Sequence, residues 1–276
     1  MQTTITDHLT VLAERVEAEF MDAYVSGAPA SARFRLAIRT ARIGGGVVLS
    51  MRDDPTGYWS KALGFGITEP VTADLVDEIL GFYRAHDDPE AVLQIAPAAL
   101  PPDWAEICAA RGIEEGHRLV KLAAPVEVVG PATTGLRIGE VGPADAPAWA
   151  SVVLRGFGMP LDGLIDMVTA AAGHGGFRPY AAWDGDALVA AANVFVMGEV
   201  ASLNTTATLP VHRRRGAQQA LIAAGAEAAR RAGCRWLVAE VAQPAEGTVN
   251  PSLTNMLRAG LRELYVRPNW VWRDRG

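Results

Sequence analysis

The sequence predicts an α/β (α+β) protein made of two similar halves in tandem, each a mixed, mainly antiparallel sheet flanked by helices. Three observations carry that expectation. A helix, a glycine and a strand close the first half in "PPDWAEICAARGIEEGHRLVKL" and recur at the end of the second in "PSLTNMLRAGLRELYVRPNWVW", and a repeated order of elements marks a repeated unit. A Pro-, Gly- and Thr-containing segment of little charge, Ala124 to Gly135, reads as a linker between halves at residues 1–125 and 134–276. Half of the 276 residues are apolar and a fifth charged, which suits a folded chain with a full core.

In the first half, "ARFRLAIRT" and "IGGGVVLSM" read as paired strands, "TADLVDEILGFYRAH" as a helix and "EAVLQIAP" as a strand. In the second half, "LRIGEV" alternates like a strand, and Asp145 with Pro147 behind it signals a helix start. Glycines 173, 175 and 176 break the chain before three antiparallel strands, turned at Asp184-Gly185 and at Gly198-Glu199. A helix follows from about Gly216 to Ala232, with Leu221, Gly225, Ala228 and Ala232 along one face and Gly233 as its stop. Then come the buried-strand pattern "CRWLVAEVA", a short helix "PSLTNMLRAG", and a final pair of strands, "LRELYV" and "NWVWR".

Composition excludes several classes of function. No apolar run reaches the roughly 18 residues of a membrane span, and the N-terminus lacks the basic-then-apolar order of a leader, so a cytoplasmic protein is expected. A net charge of -6 argues against nucleic acid as the main partner. Cys108 and Cys234 have no second Cys or His at ligand spacing, so no metal site is expected, and both read as buried small hydrophobes.

Against that acidic background, "TLPVHRRRGAQQAL" sets three arginines at a strand-to-helix junction. The start of a helix leaves backbone N–H groups without partners at the positive end of its dipole, and such a turn attracts phosphate. Gly216 allows close approach, Ala217 keeps it uncrowded, and the guanidinium groups of Arg213, Arg214 and Arg215 pair well with phosphate oxygens. A diphosphate suits the turn, while the Gly-Lys-Ser/Thr ending of a P-loop and the G-x-G-x-x-G turn are both missing. The corresponding stretch of the first half, "GFGITEPVTADL", carries Glu69 and no arginine.

"PVHRRRGAQQAL" resembles the acyl-CoA pyrophosphate loop of the GNAT superfamily of N-acetyltransferases, Arg/Gln-x-x-Gly-x-Gly/Ala, over Arg213 to Gln218, with Gln218 where a small residue is commonest. "TNMLRAGLRELYVRP" is similar to the family's closing helix and strand, with Leu261 in place of its usual Phe. The resemblance covers the last 140 or so residues by motif and order, and with the repeat it implies a tandem protein whose first half has lost the cofactor loop. It further implies direct transfer of an acetyl group from acetyl-CoA to a primary amine of a small acceptor in a ternary complex, by a monomer or homodimer, without a metal. The strand "SLNTTATL" would splay from "WLVAEV", with Thr208 and Leu209 beside the thioester arm and Asn255 beside the pantetheine. The usual acid, a Tyr four residues before the closing Gly, is replaced by Met256, which leaves Tyr265 or a water. For the base, Glu240 and Glu199 both stand open; His212 adjoins the loop. The alternative from another class is a non-catalytic acyl-CoA sensor or scaffold.

Overall fold

The computed structural model describes residues 7–275; the expectation of no leader falls partly on residues 1–6, and these and Gly276 lie outside the described residues. The elements run α1 (His8–Ser26), α2 (Ala30–Arg35), β1 (Ile38–Ile43), β2 (Gly46–Met51), β3 (Lys61–Leu63), α3 (Ala73–Ala85), β4 (Glu90–Gln94), α4 (Trp104–Arg111) and β5 (Ile113–Pro125) in the first half. The second half holds β6 (Arg137–Glu140), α5 (Ala146–Phe157), α6 (Ile165–Ala171), β7 (Phe177–Asp184), β8 (Ala187–Met197), β9 (Val200–Thr208), α7 (Ala217–Arg231), β10 (Trp236–Ala242), α8 (Pro251–Arg258) and β11 (Arg262–Arg273).

All eleven strands form one mixed sheet, in the order β1-β2-β3-β4-β11-β5-β10-β9-β8-β7-β6. In each half one parallel pair, β3 with β4 and β9 with β10, interrupts the antiparallel pattern. The closing strands are exchanged. β5, from the first half, pairs antiparallel with β10 of the second through seven residues, and β11, from the second, pairs with β4 of the first. β5 and β11 also pair with each other. The repeat foreseen in the sequence is thus present, and its two copies are sewn into one sheet by main-chain hydrogen bonds.

The helices divide between two faces. On one, α7 packs on β7, β8 and β9 over an alanine-rich core, and α3 packs on β1 and β2 beside aromatic Tyr83, Trp104 and Trp272. On the other, α1 lies in a trough, touching β1, β2 and β3 on one side and β8 and β9 on the other. Its Val16, Phe20 and Tyr24 join Trp149 and Phe177 in a single core shared by both halves. Apolar burial of this kind is the main favourable term in folding, and here it crosses the linker.

Four local expectations need correction. Residues 32–35 of "ARFRLAIRT" are helical, because the chain enters α2 from Pro29 and breaks only at Ala37, which has φ +51. The "final pair of strands" is one strand, β11, in which Pro268 sits at a register shift; the missing N–H that suggested a break is absorbed by a bulge. Along α7 the buried face holds Leu221, Gly225 and Ala228 but not Ala232, which is the exposed cap. The linker is also less loose than expected: Ala124 and Pro125 are the last residues of β5, and Arg230 donates to the carbonyls of Val126 and Val129 at 2.7 and 3.2 Å. α1 and the short β3 were not foreseen.

Candidate active site

The junction between β9 and α7 is an exposed loop. Leu209 still donates its amide to Val189 of β8, and Pro210 to His212 make one tight turn in which Arg213 donates to the Pro210 carbonyl at 3.3 Å. Beyond it Arg214 and Gly216 both take positive φ, +61 and +78. The amides of Arg214, Arg215, Gly216, Ala217 and Gln218 have no acceptor among the described residues, and the first helical bond at this end runs from Ala220 to Gly216. Alternating right- and left-handed backbone with free N–H groups forms an anion-binding nest. Arg213, the first residue of the motif, contributes no amide to that nest, since the tight turn uses it.

Gly216 is required twice over: its φ is positive, and a Cβ there would lie 3.3 Å from the Thr133 carbonyl. The linker braces the loop further, through Thr134 Oγ1 donating to the Arg215 carbonyl at 2.7 Å. At the matching junction of the first half, Thr72 caps α3 by accepting from the Leu75 amide, and Asp74 adds negative charge to the first turn. That helix start satisfies itself, while α7 has no side-chain cap.

The three arginines differ. Arg215 is held in a two-pronged pair with Asp184 at 2.6 and 3.0 Å, and its hydrogen bonds keep that carboxyl below the usual range. His212 completes the group, with Nδ1 3.1 Å from Arg215 Nη1. Arg213 folds back to the Thr208 carbonyl at 3.3 Å, and the Arg214 guanidinium has no partner among the described residues. Gln218 spends its side chain on α8: it donates to Ser252 Oγ at 2.7 Å and accepts from Asn255 Nδ2 at 2.9 Å. Asn255 therefore positions the start of α7 and does not line the cavity described next.

Parallel pairing of β9 with β10 ends at Leu203 and Ala239, and from there the strands part. β10 continues beside β5, so Glu240 faces its register partner Lys121. The wedge opens into a cavity of about 540 Å³ lined from both halves. Ser202, Asn204, Thr206, Glu240 and Met256 come from the second; Tyr24, Trp59, Lys61, Gln94 and His117 come from the first.

Beneath the cavity lies a buried ion cluster from four elements. Arg267 of β11 contacts Glu14 of α1 at 2.9 Å, Glu17 at 2.5 Å and Glu240 at 2.7 Å. Lys121 of β5 contacts Glu17 at 2.5 Å and Glu240 at 3.0 Å. Burial disfavours the Glu17 carboxylate, but Arg267 and Lys121 outweigh it and hold Glu17 well below the usual range. Burial dominates at Glu240 and, with the neighbouring Glu17, raises it. Three carboxyls against two cations leave one excess negative charge if all ionise; a proton on Glu240, shared with Glu17, removes it.

Of the other candidates, Tyr265 donates its hydroxyl to Glu14 inside this cluster and does not line the cavity, so it is no acid for chemistry there. Glu199 sits at the β8–β9 turn with His8 and Arg235, apart from the cavity. Met256 does line the cavity, and a thioether has no proton to donate. Cys108 and Cys234 are buried; burial pushes the first thiol up to about 11 and raises the second. Among the described residues no group of three or more His, Cys, Asp or Glu could hold a metal, and no helix is long and apolar enough to cross a membrane. Sequence reasoning missed Glu14, Glu17, Lys121 and Arg267.

Residues 159–250 match the model of the Acetyltransferase (GNAT) family. Three solved structures are similar over most of the chain. A GCN5-related N-acetyltransferase from Kribbella flavida is 16% identical with a TM-score of 0.61, covering 96% of this chain and 95% of its own. A tandem GNAT protein from the clavulanic acid biosynthesis pathway is 17% identical with a TM-score of 0.58, covering 99% and 97%. A GCN5-related N-acetyltransferase from Sphaerobacter thermophilus is 12% identical with a TM-score of 0.56, covering 86% and 75%. At these identities the likeness establishes the fold. No curated protein matches the sequence.

Proposed function

From a chain whose residues 159–250 match the GNAT family model and whose fold is similar to that of a tandem GNAT protein, we propose an acyltransferase that passes an acetyl group from acetyl-CoA to a primary amine of a small acceptor, directly within a ternary complex. One observation carries the reading: β9 and β10 part at Leu203 and Ala239, Ser202 to Thr206 of β9 line the opened wedge, and the same strand runs on into an exposed loop whose amides from Arg214 to Gln218 have no acceptor among the described residues. The free amides of Arg214 to Gln218 suit a diphosphate, with the unpartnered Arg214 and the nearby Arg213 adding charge. The edge of β9 from Asn204 to Thr208 that β10 leaves suits the amide-bearing arm of coenzyme A, and a strand amide there would stabilise the oxyanion of the transition state.

Coenzyme A supplies the activated thioester; the chain supplies position and proton handling. Glu240, one residue past the end of pairing on the cavity wall, is the base in this reading. Its raised pKa keeps it protonated at low pH, so activity should rise with pH through that value. Thiolate departure proceeds with a water as acid or unassisted, because Met256 occupies the family's acid position.

The test is to incubate the protein with acetyl-CoA and a panel of primary amines and follow thiol release. Amine-dependent release supports the reading; tight coenzyme A binding with no release across a broad panel would establish the sensor instead. Reversing Arg213 and Arg214 to Glu together should weaken coenzyme A binding by about a hundredfold or more, since charged hydrogen bonds contribute roughly 1.5 to 3 kcal/mol each. Unchanged affinity in a titration would remove the loop assignment. Arg215 is the poorer target because Asp184 already holds it.

A further inference from the structure

Among the charged side chains lining the cavity, Lys61 stands apart. Glu17 and Glu240 face Lys121 and Arg267 at salt-bridge distance, whereas Lys61, only 6% exposed, has no carboxylate and no hydrogen-bond acceptor for its ammonium group among the described residues. Its one contact is the Tyr58 ring, with Nζ 3.4 Å from the centroid. A cation over a ring face is attracted by the quadrupole, but its N–H donors stay without lone pairs to meet. The side chain is buried but its Nζ is not among the fully occluded, unpartnered atoms, so its free donors open onto the cavity and are available to an anion that enters it.

The surroundings indicate which anion. β3 sets Lys61 beside Val92 of β4, and Gln94 follows on the same face with its Oε1 buried and unpartnered. Gln94 donates to Asn269 at 2.8 Å, and Asn269 contacts His117 Nε2 at 2.9 Å, so a chain of polar side chains without a carboxylate flanks the lysine. Phe20, Tyr24 and Trp59 form an apolar wall. The cavity is thus polarised, with the acidic pair Glu17 and Glu240 near the wedge and an unpaired cation on the first-half wall.

We propose that Lys61 is the anion-binding residue of an acceptor subsite, and that the acceptor carries a carboxylate at the end opposite its reacting amine. This rests on the transferase reading for the amine end only. A single ammonium among neutral amides, without an arginine fork or a helix start, suits one carboxylate better than a phosphate. Lys61 and Glu240 stand on strands four steps apart, about 19 Å along the sheet at roughly 4.8 Å per step, and less across the trough. The Lys61 and Glu240 side chains, both reaching into the cavity, take up roughly half of that, and about three extended residues at about 3.5 Å each cover the rest, whereas an α-amino acid with both groups on one carbon does not.

The probes are glycine, glycyl-leucine and diglycyl-leucine, each beside its C-terminal carboxamide, titrated calorimetrically into the protein saturated with coenzyme A. The peptide carboxylates should bind at least tenfold more tightly than their carboxamides, and Lys61→Met should erase that preference while Lys61→Arg keeps most of it. Because Lys61→Met could fail to fold, a second measurement uses the unaltered chain. With N-acetylated forms of the same peptides, which have no amine to consume the reagent, trinitrobenzenesulfonate labelling of Lys61, read by peptide mass, should be suppressed by the carboxylates and not by the carboxamides. Equal binding of carboxylate and carboxamide, or labelling indifferent to both, overturns the assignment whatever thiol release shows. Carboxylate preference with no thiol release from acetyl-CoA sinks the transferase reading and leaves the subsite standing.

Discussion

Arg267 is fully buried and bonded to Glu14 on α1, and lies within salt-bridge distance of Glu17 on the same helix and of Glu240 on β10. Removing one partner of a buried ionic group strands the others, at a cost of about 3 to 5 kcal/mol. Arg267→Met should therefore unfold at far lower denaturant than wild type, checked by urea titration. Glu240 gives a pH signature of opposite sign to its neighbour. Glu17, held below its ordinary 4.5, contributes stability that is present above that value and is lost as pH falls through its folded value. Glu240, held above 4.5, contributes stability that is present below that value and is lost as pH rises through its folded value. Glu240→Gln mimics the protonated carboxyl, so its stability relative to wild type should grow as pH rises above 4.5 toward the raised folded value of Glu240. A difference flat with pH would show that Glu240 is ionised throughout. The same variant should lose the pH-dependent limb of amine acetylation.

At the scale of elements, the wedge depends on how α5 sits on β9. Gly156 of α5 lies against Ala207, and a Cβ there would fall 2.5 Å from the Ala207 Cβ and 3.4 Å from its Cα. No side-chain rotation relieves a contact between two methyls fixed to backbone, so the helix or the strand must shift. The gain in helix propensity from Gly→Ala is about 1 kcal/mol, and overpacking of this kind costs about 1 to 3 kcal/mol. Gly156→Ala should therefore lower the unfolding midpoint modestly and weaken coenzyme A binding more, because Ala207 directly precedes Thr208 at the loop. Differential scanning calorimetry and a binding titration on one preparation separate the two effects. The Gln218 side chain works at the same scale, tying the first turn of α7 to Ser252 and Asn255 of α8.

For the whole molecule, the exchange of β5 and β11 makes each half incomplete without the other. A chain ending at Pro125 would lack β11 beside β4 and would leave β5 without either of its neighbours, β11 and β10, exposing one edge of β4 and both edges of β5. Neither half should fold when expressed alone, and co-expression should restore a soluble complex, read by circular dichroism and gel filtration. The intact chain should unfold in one transition, with helix signal and tryptophan fluorescence coincident. Two separated transitions would mean that the shared sheet does not couple the halves.

Much of this was legible in the sequence, because the signals involved are local. Turn glycines at 185, 198 and 233, the alternating strands of the second half and the strand-arginine-glycine-helix junction are each written within a dozen residues. The free amides at the start of α7 follow from helix geometry alone, whereas those of Arg214 and Arg215 depend on the left-handed turns of the loop. Other features were not legible, for identifiable reasons. Helix α1 turns Glu14 and Glu17 inward, which defeats a reading that places charges outside. Pro268 imitates a chain break that only the bulge opposite β5 undoes. Lys61 lies on a three-residue strand too short to show a period. By itself, the sequence determined the tandem order and the strand-arginine-glycine-helix junction, since backbone geometry and side-chain periodicity act between near neighbours. Tertiary structure alone decided the exchange of closing strands, the ion cluster and the composition of the cavity, because these depend on which distant segments share a sheet edge and which charges are driven out of water together.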